Sequence, residues 1–253
     1  MRALVLGGGG IAGIAWETGI LYGLGESVLD ADIIVGTSAG SAVAAAVGQI
    51  PLAEAFERQI APDPEPTGGG RRPGPSIDKL MKIFGVLQAL PPEQARRKLG
   101  EIALTAETMP EEIWVQAIGS VLPSAEWPSR NIGAVAVDAE SGETHVFTRE
   151  SGVDLVLAVA ASCAVPGVYP PVTIDGRRYM DGGARTTTNA DLVAEYDEII
   201  VIAPIPDALQ LPNALVITPD ADSLAAMTMN VLDPATRIPS AHAGLSQGKA
   251  TKI

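Results

Sequence analysis

Ser38 stands in Gly36-Thr37-Ser38-Ala39-Gly40, after the apolar run Asp32-Ile33-Ile34-Val35 and before the alanine-rich stretch Ser41 to Val47. The order reads as strand, sharp turn, helix. A serine at such a turn is held in a crowded backbone conformation, and Gly36 and Gly40 let strand and helix approach without a clashing Cβ. The hydroxyl then projects from the bend at the positive end of the helix, as in a nucleophile elbow. A second loop has matching chemistry. Arg2 to Leu6 runs into Gly7-Gly8-Gly9-Gly10-Ile11-Ala12-Gly13, followed by a helical stretch from Ile14 to Val28. Consecutive glycine amides at a helix N-terminus attract an anion. One such anion is a dinucleotide pyrophosphate, because Gly8, Gly10 and Gly13 satisfy G-x-G-x-x-G; the other is the oxyanion of acyl transfer. A dinucleotide site wants an acid where the second strand ends. Here that end is Gly36-Thr37-Ser38, while Asp32 begins the strand. The spacing therefore favours acyl transfer over nucleotide binding or a purely structural glycine turn.

Acyl transfer by a serine needs a proton acceptor, and the chain has two histidines, His145 and His242. His145 lies in the alternating run Glu143-Thr144-His145-Val146-Phe147, an ordinary sheet position. His242 lies in an Ala/Gly-rich C-terminal stretch. Asp181, in Arg178-Tyr179-Met180-Asp181-Gly182-Gly183, is the better candidate base, with two glycines that permit close backbone approach. An exposed aspartate, with a pKa of about 3.9, is a poor base toward an alcohol, so the site must be partly desolvated or proton transfer concerted with attack. Read alone, the same residues are an Asp-Gly turn.

Together these residues resemble the patatin-like phospholipase family, with its glycine-rich loop, G-x-S-x-G elbow, proline-containing block and D-G-[GA] in that order. The proline block is Ala161-Ser162-Cys163-Ala164-Val165-Pro166-Gly167-Val168-Tyr169-Pro170-Pro171-Val172. The resemblance runs from Met1 to about Pro204. It implies a mainly parallel sheet covered by helices on both faces, and a Ser38–Asp181 dyad without histidine. It also implies an oxyanion hole from the amides of Gly8, Gly9 and Gly10, with Gly13, Gly36, Gly40, Pro166, Gly182 and Gly183 supporting the motifs. The implied chemistry is hydrolysis of a lipid carboxylic ester through an acyl-enzyme. The sequence departs from the family at Ala12, where many members carry a cation. Loss of a charged donor there puts phospholipid preference in question and keeps two alternatives open, an esterase or thioesterase on other acyl substrates and a binding protein on the same fold. Arg177, Arg178 and Arg185 are candidates to replace that cation.

The elements that must position these residues follow from periodicity. Ala3 to Leu6, Asp32 to Val35, Asn131 to Val137, Thr144 to Thr148, Glu198 to Ala203 and Ala214 to Thr218 read as strands in an α/β pattern. The near-continuous apolar runs Ile33-Ile34-Val35 and Ile199-Ile200-Val201-Ile202 predict central parallel strands. Asp220 to Leu232 reads as a helix with Leu224, Met227 and Val231 on one side, and Ala235 to Ile253 as a closing helix or a loose tail. The 253 residues, 47% hydrophobic, suit one domain.

Residues 61–76 are Pro/Gly-rich and read as a mobile loop. Beyond them Ile77, Leu80, Met81, Phe84, Leu87 and Leu90 recur at helical spacing, so 77–107 is either a helical cap on the core or a lid that meets anionic lipid. Seven basic and two acidic residues lie between Arg71 and Lys98, in a chain of net charge −13. Nucleic acid is an unsuitable partner for so acidic a chain, and membrane contact is expected to be at most transient and salt-dependent. The single cysteine, Cys163, reads as a small packing residue and fits a reducing compartment. No metal-ligand spacing is present, no cofactor is expected, and Gly7 to Gly10 interrupts what would otherwise suggest a signal segment, so the expected location is cytoplasmic.

Overall fold

A computed structural model describes residues 1–62, 77–207 and 211–253. The predicted loop over 61–76 therefore falls almost wholly outside the described residues. In chain order the elements are β1 (Arg2–Leu6), α1 (Gly10–Leu24), β2 (Ile33–Thr37), α2 (Ala39–Gln49), α3 (Leu52–Ile60), α4 (Ile77–Ala89), α5 (Pro92–Thr105) and α6 (Glu111–Val121). There follow β3 (Ile132–Asp138), β4 (Thr144–Phe147), α7 (Leu155–Ser162), β5 (Val172–Ile174), β6 (Arg177–Asp181), β7 (Glu198–Ile202), β8 (Ala214–Ile217), α8 (Ala221–Met227) and α9 (Arg237–Ala250). Among the described residues the strands form one sheet in the order β5-β6-β3-β2-β1-β7-β8, with β4 added on β3. Strands β3, β2, β1, β7 and β8 pair in parallel; β4, β5 and β6 pair antiparallel.

The apolar runs are continuous because both faces of the central strands are buried. Leu4 and Leu6 of β1, with Ile200 and Ile202 of β7, pack against Trp16, Ile20 and Val43 of α1 and α2. Ala3, Val5, Ile199 and Val201 alternate to the other face and meet Val35, Val135, Ala190 and Val193. Further along that sheet, Val137 and Met180 lie under Leu99 and Ala103 of α5.

Three helix expectations are corrected. The first helix begins at Gly10 rather than Ile14 and ends at Leu24, because Gly25 takes φ +91 and a separate 3₁₀ turn covers Glu26–Leu29. The predicted helix over Asp220 to Leu232 stops at Met227, where Thr228 takes φ 58; Leu224 is 58% exposed while Met227 is buried, so they do not share a packed side. On α4, Met81 points to solvent at 53% exposure while Ile83, with Val86 and Leu87 partly buried beside it, packs inward; the side chains of Ile77, Leu80 and Phe84 lie outside what is described. The C-terminal segment is a closing helix. Gly244 and Gly248 of α9 lie so close to α1 that an added Cβ would sit 2.2 Å from the Trp16 carbonyl oxygen or 2.5 Å from that of Ile20.

The fork in the sheet is what places the chemistry. Ala134 and Val135 pair with β2 and β4 at once, and Ala136 and Val137 pair with β4 and β6 at once. Strands β2 and β6 must therefore share the other edge of β3, one ahead of the other. Thr37 at the end of β2 registers with Val135, and Asp181 at the end of β6 registers with Ala136. Two strands running toward each other thus end on consecutive residues of β3, bringing Ser38 and Asp181 face to face.

Candidate active site

Ser38 has φ 52 and ψ −119, a conformation costing a non-glycine residue about 1–3 kcal/mol. Three neighbouring residues hold it there. Its amide donates to Ser162 Oγ at the end of α7 (3.0 Å), and its carbonyl accepts from Ser41 Oγ (2.7 Å), the Cys163 thiol (3.1 Å) and the Ser41 amide (2.9 Å). Cys163 is thus more than a packing residue. Burial first, then repulsion from Asp181, pushes its thiol up to about 12, which keeps the proton this contact requires.

Asp181 is held as firmly. Its amide donates to the Ala164 carbonyl (2.9 Å) within the turn that Pro166 helps form, and its Oδ1 accepts from the Gly183 amide (2.7 Å). Oδ2 is buried without a hydrogen-bond partner among the described residues, and the carboxyl as a whole interacts with the Ser38 hydroxyl. Burial raises the carboxyl to about 6, while the Ser38 hydroxyl and the Gly183 amide pull the other way. The desolvation that the sequence required of a carboxylate base is therefore present. Neither histidine hydrogen-bonds to this pair among the described residues: His145 packs on Phe147 and Tyr179, and His242 meets Phe56 edge-on.

The glycine loop lies against the elbow, since a Cβ on Gly8 would be 3.6 Å from Ser38 Cβ. One expectation fails here: the Gly8 amide donates to the Thr187 carbonyl (2.7 Å) and is not free for an oxyanion. The amides of Gly9, Gly10 and Ala39 make no hydrogen bond among the described residues. Ala39, the residue after the serine, was missed because no side chain marks it. Glu17 of α1 is fully buried with both carboxyl oxygens unpartnered among the described residues, and burial holds its pKa well above the ordinary range.

The cation predicted to replace the one missing at Ala12 is not found among the three candidates. Arg177 pairs with Asp138 (3.3 Å) and Glu143 (3.5 Å), Arg178 donates to the Pro171 carbonyl (3.3 Å), and Arg185 binds Asn189 and Asp191. Ala12 itself is buried, with its amide on the Val231 carbonyl (3.0 Å).

Substitutions separate the glycines. Gly8→Ala is expected to retain most activity, because its Cβ meets ordinary contacts at 3.5 Å and 3.6 Å; Gly9→Ala places a Cβ 2.5 Å from Pro204 Cβ and 2.8 Å from Gly13 Cα. Displacing the Gly9 amide is expected to cost on the order of 10² in kcat. Esterase assays on the two variants check this, and equal losses would contradict it.

A mostly parallel sheet that delivers a strained serine to a buried aspartate beside a glycine loop has the patatin fold. The sequence profile of the patatin-like phospholipase family matches residues 4–194, and the chain belongs to that family. Among solved structures it is similar to VipD from Legionella pneumophila, at 13% identity and a TM-score of 0.47, covering 98% of this chain and 65% of that one. It is also similar to the type III effector protein ExoU, at 16% identity and a TM-score of 0.39, covering 99% of this chain and 53% of that one. The chain thus spans less than two thirds of the length of either. Patatin-like phospholipases act on lipid substrates, and membership supports lipid acyl hydrolase activity in general. Among the described residues no helix is long and apolar enough to cross a membrane.

Proposed function

We propose that the chain hydrolyses carboxylic esters of lipids through a Ser38–Asp181 dyad and an acyl-enzyme. Asp181 Oδ2 takes the Ser38 proton as Oγ attacks the ester carbonyl, and the amides of Gly9, Gly10 and Ala39 receive the oxyanion. Collapse expels the alcohol, which leaves with the proton held by Asp181. Water then gives its proton to Asp181 and attacks the acyl-enzyme, and collapse returns that proton to Ser38 Oγ. The observation that carries the reading is the buried Asp181 carboxyl, its Oδ2 unpartnered among the described residues, beside the hydroxyl of a strained serine.

The nucleophile and its partner are both buried, at 9% and 4% exposure, so an acyl chain needs a cover to move. Ile83 of α4 packs in one apolar cluster with Met180, next to Asp181, and with Leu232, whose Cδ2 would lie 2.8 Å from a Cβ on Gly10. The same helix exposes Lys79, Met81 and Lys82, a combination suited to a lipid surface. These features support α4 as the cover and a lipid aggregate as the place where it opens.

Hydrolysis of p-nitrophenyl esters from short to long acyl chains, below and above their micellar concentration, tests both points. Ser38→Ala is expected to lose on the order of 10⁴-fold or more in kcat, and wild-type rates are expected to jump when long-chain esters aggregate. Undiminished activity in Ser38→Ala would defeat the dyad, and no response to aggregation would defeat the cover. A second reading, an esterase or thioesterase on acyl substrates without a phosphate, is favoured by Ala12 and by the engagement of all three nearby arginine candidates elsewhere. Faster turnover of neutral esters than of phosphatidylcholine would support it.

A further inference from the structure

We propose that Asn189 is a positioning residue that holds the Ser38 elbow and the Asp181 turn in register; the inference rests on the dyad reading. Asn189 is fully buried and takes the left-handed conformation, φ 54 and ψ 30. Its Nδ2 donates to Thr37 Oγ1 (3.1 Å), the Gly182 carbonyl (3.1 Å) and the Thr186 carbonyl (2.9 Å). Thr37 immediately precedes Ser38, and Gly182 immediately follows Asp181. One side-chain amide therefore bridges directly two segments that otherwise share strand β3 and residues 162–164 as supports.

The bridge is itself braced. Asn189 Oδ1 accepts from Arg185 Nη1 (2.8 Å), which fixes the orientation of the amide, and the Asn189 backbone N–H donates to Thr186 Oγ1 (2.8 Å). Arg185 is anchored in turn by Asp191 (2.8 Å). Thr37 Oγ1 donates to the Thr188 carbonyl (3.2 Å), so its hydroxyl both gives to this segment and receives from it. Two residues earlier, the Thr187 carbonyl accepts the Gly8 amide that fails to serve an oxyanion. Residues 187–189 thus touch all three motifs: glycine loop, elbow and acid turn.

The residue type follows from these demands. Asparagine tolerates positive φ better than most side chains and supplies two N–H donors with one acceptor. Aspartate would keep the shape but lose both donors, leaving the Gly182 carbonyl and Thr37 hydroxyl without them. The proton passes between two groups carried on separate strands, so their relative placement sets the rate: a misplacement of about 1 Å can cost on the order of 10².

Asn189→Gly keeps the backbone conformation and removes the bridge, while Asn189→Asp keeps the shape but exchanges the donors for an ionisable carboxyl. Both are assayed on a soluble short-chain p-nitrophenyl ester, with kcat expressed per phosphonate-reactive Ser38 and folding checked by circular dichroism. We expect kcat to fall roughly 100-fold with KM within about twofold. The acid limb of the kcat/KM profile should also move to higher pH, because the Ser38 hydroxyl no longer holds the Asp181 pKa down. Thr37→Val, which removes the acceptor on the elbow side, should lower kcat in the same direction, and combined with Asn189→Gly should cost less than the sum of the two. A lowered melting temperature with kcat and pH profile unchanged would overturn the proposal, as would additive losses in the double variant. Ser38→Ala, run alongside, separates the failures: if it stays active the dyad reading falls and this inference with it, whereas an inactive Ser38→Ala beside a fully active Asn189→Gly defeats this inference alone.

Discussion

Replacing Asp181 by asparagine is expected to lower kcat on soluble esters by on the order of 10⁴ while making the fold more stable at pH 8, by up to about 3 kcal/mol. Both effects have one origin. The carboxyl's pKa is raised by burial from 3.8 to about 6. Below pH 3.8 the group is protonated in both folded and unfolded chains and contributes no difference. As pH rises, the unfolded chain releases its proton first, so stability falls until the folded carboxyl has ionised, near pH 6. Above that the full cost of a buried anion is present, and asparagine removes it. The stability gap between variant and wild type should therefore be wide at pH 8 and close by pH 3.5, as read from urea melts. Wild-type kcat/KM should rise with pH through about 6, because the ionised form accepts the serine proton. A variant less stable than wild type at pH 8 would contradict this account of the site.

Gly40→Ala is expected to prevent folding. A Cβ there would lie 2.1 Å from the Leu6 carbonyl oxygen and 2.4 Å from its carbon, both backbone atoms of β1. The helix has no room to retreat: the Gly40 amide donates to the Gly7 carbonyl (3.0 Å), and Gly36 is pressed against Gly40 so closely that its own Cβ would sit 2.4 Å from the Gly40 oxygen. Overpacking a core commonly costs about 1–3 kcal/mol, and a backbone-to-backbone clash at this distance exceeds that range. Domains of this kind have only about 5–15 kcal/mol of stability in total. Gly85→Ala on α4, where an added Cβ meets nothing within 4 Å, is the matched control and should be neutral or slightly stabilising. Circular dichroism melts of the two variants check the pair; a Gly40→Ala protein melting near wild type would mean that the elbow is looser than its geometry.

Much of this site was legible in the sequence because its demands are local. An elbow needs Gly36 and Gly40 at fixed distances from Ser38, and the need is visible within five residues. The parallel core strands were legible for a related reason, since strands buried on both faces lose their polar positions. What could not be read depends on partners far along the chain. Nothing near Gly8 announces that its amide is committed to Thr187. Asn189 sits in a run of threonines that reads as an ordinary polar loop, and Ser162 looks like helix filler until the Ser38 amide is found on its hydroxyl. The closing helix α9 was obscured by the feature that makes it work: its small residues, poor in apolar signal, are what let it lie against α1. The missing cation at Ala12 was visible at once, but only the placement of Arg177, Arg178 and Arg185 showed that none of them replaces it.

Labelling with a fluorophosphonate followed by peptide mapping in the mass spectrometer asks whether Ser38 is the residue that becomes acylated. A single adduct is expected, on Ser38, absent in Ser38→Ala and formed much more slowly in Asp181→Asn. An adduct on another residue, or ester hydrolysis that continues while Ser38 remains unlabelled, would contradict that expectation.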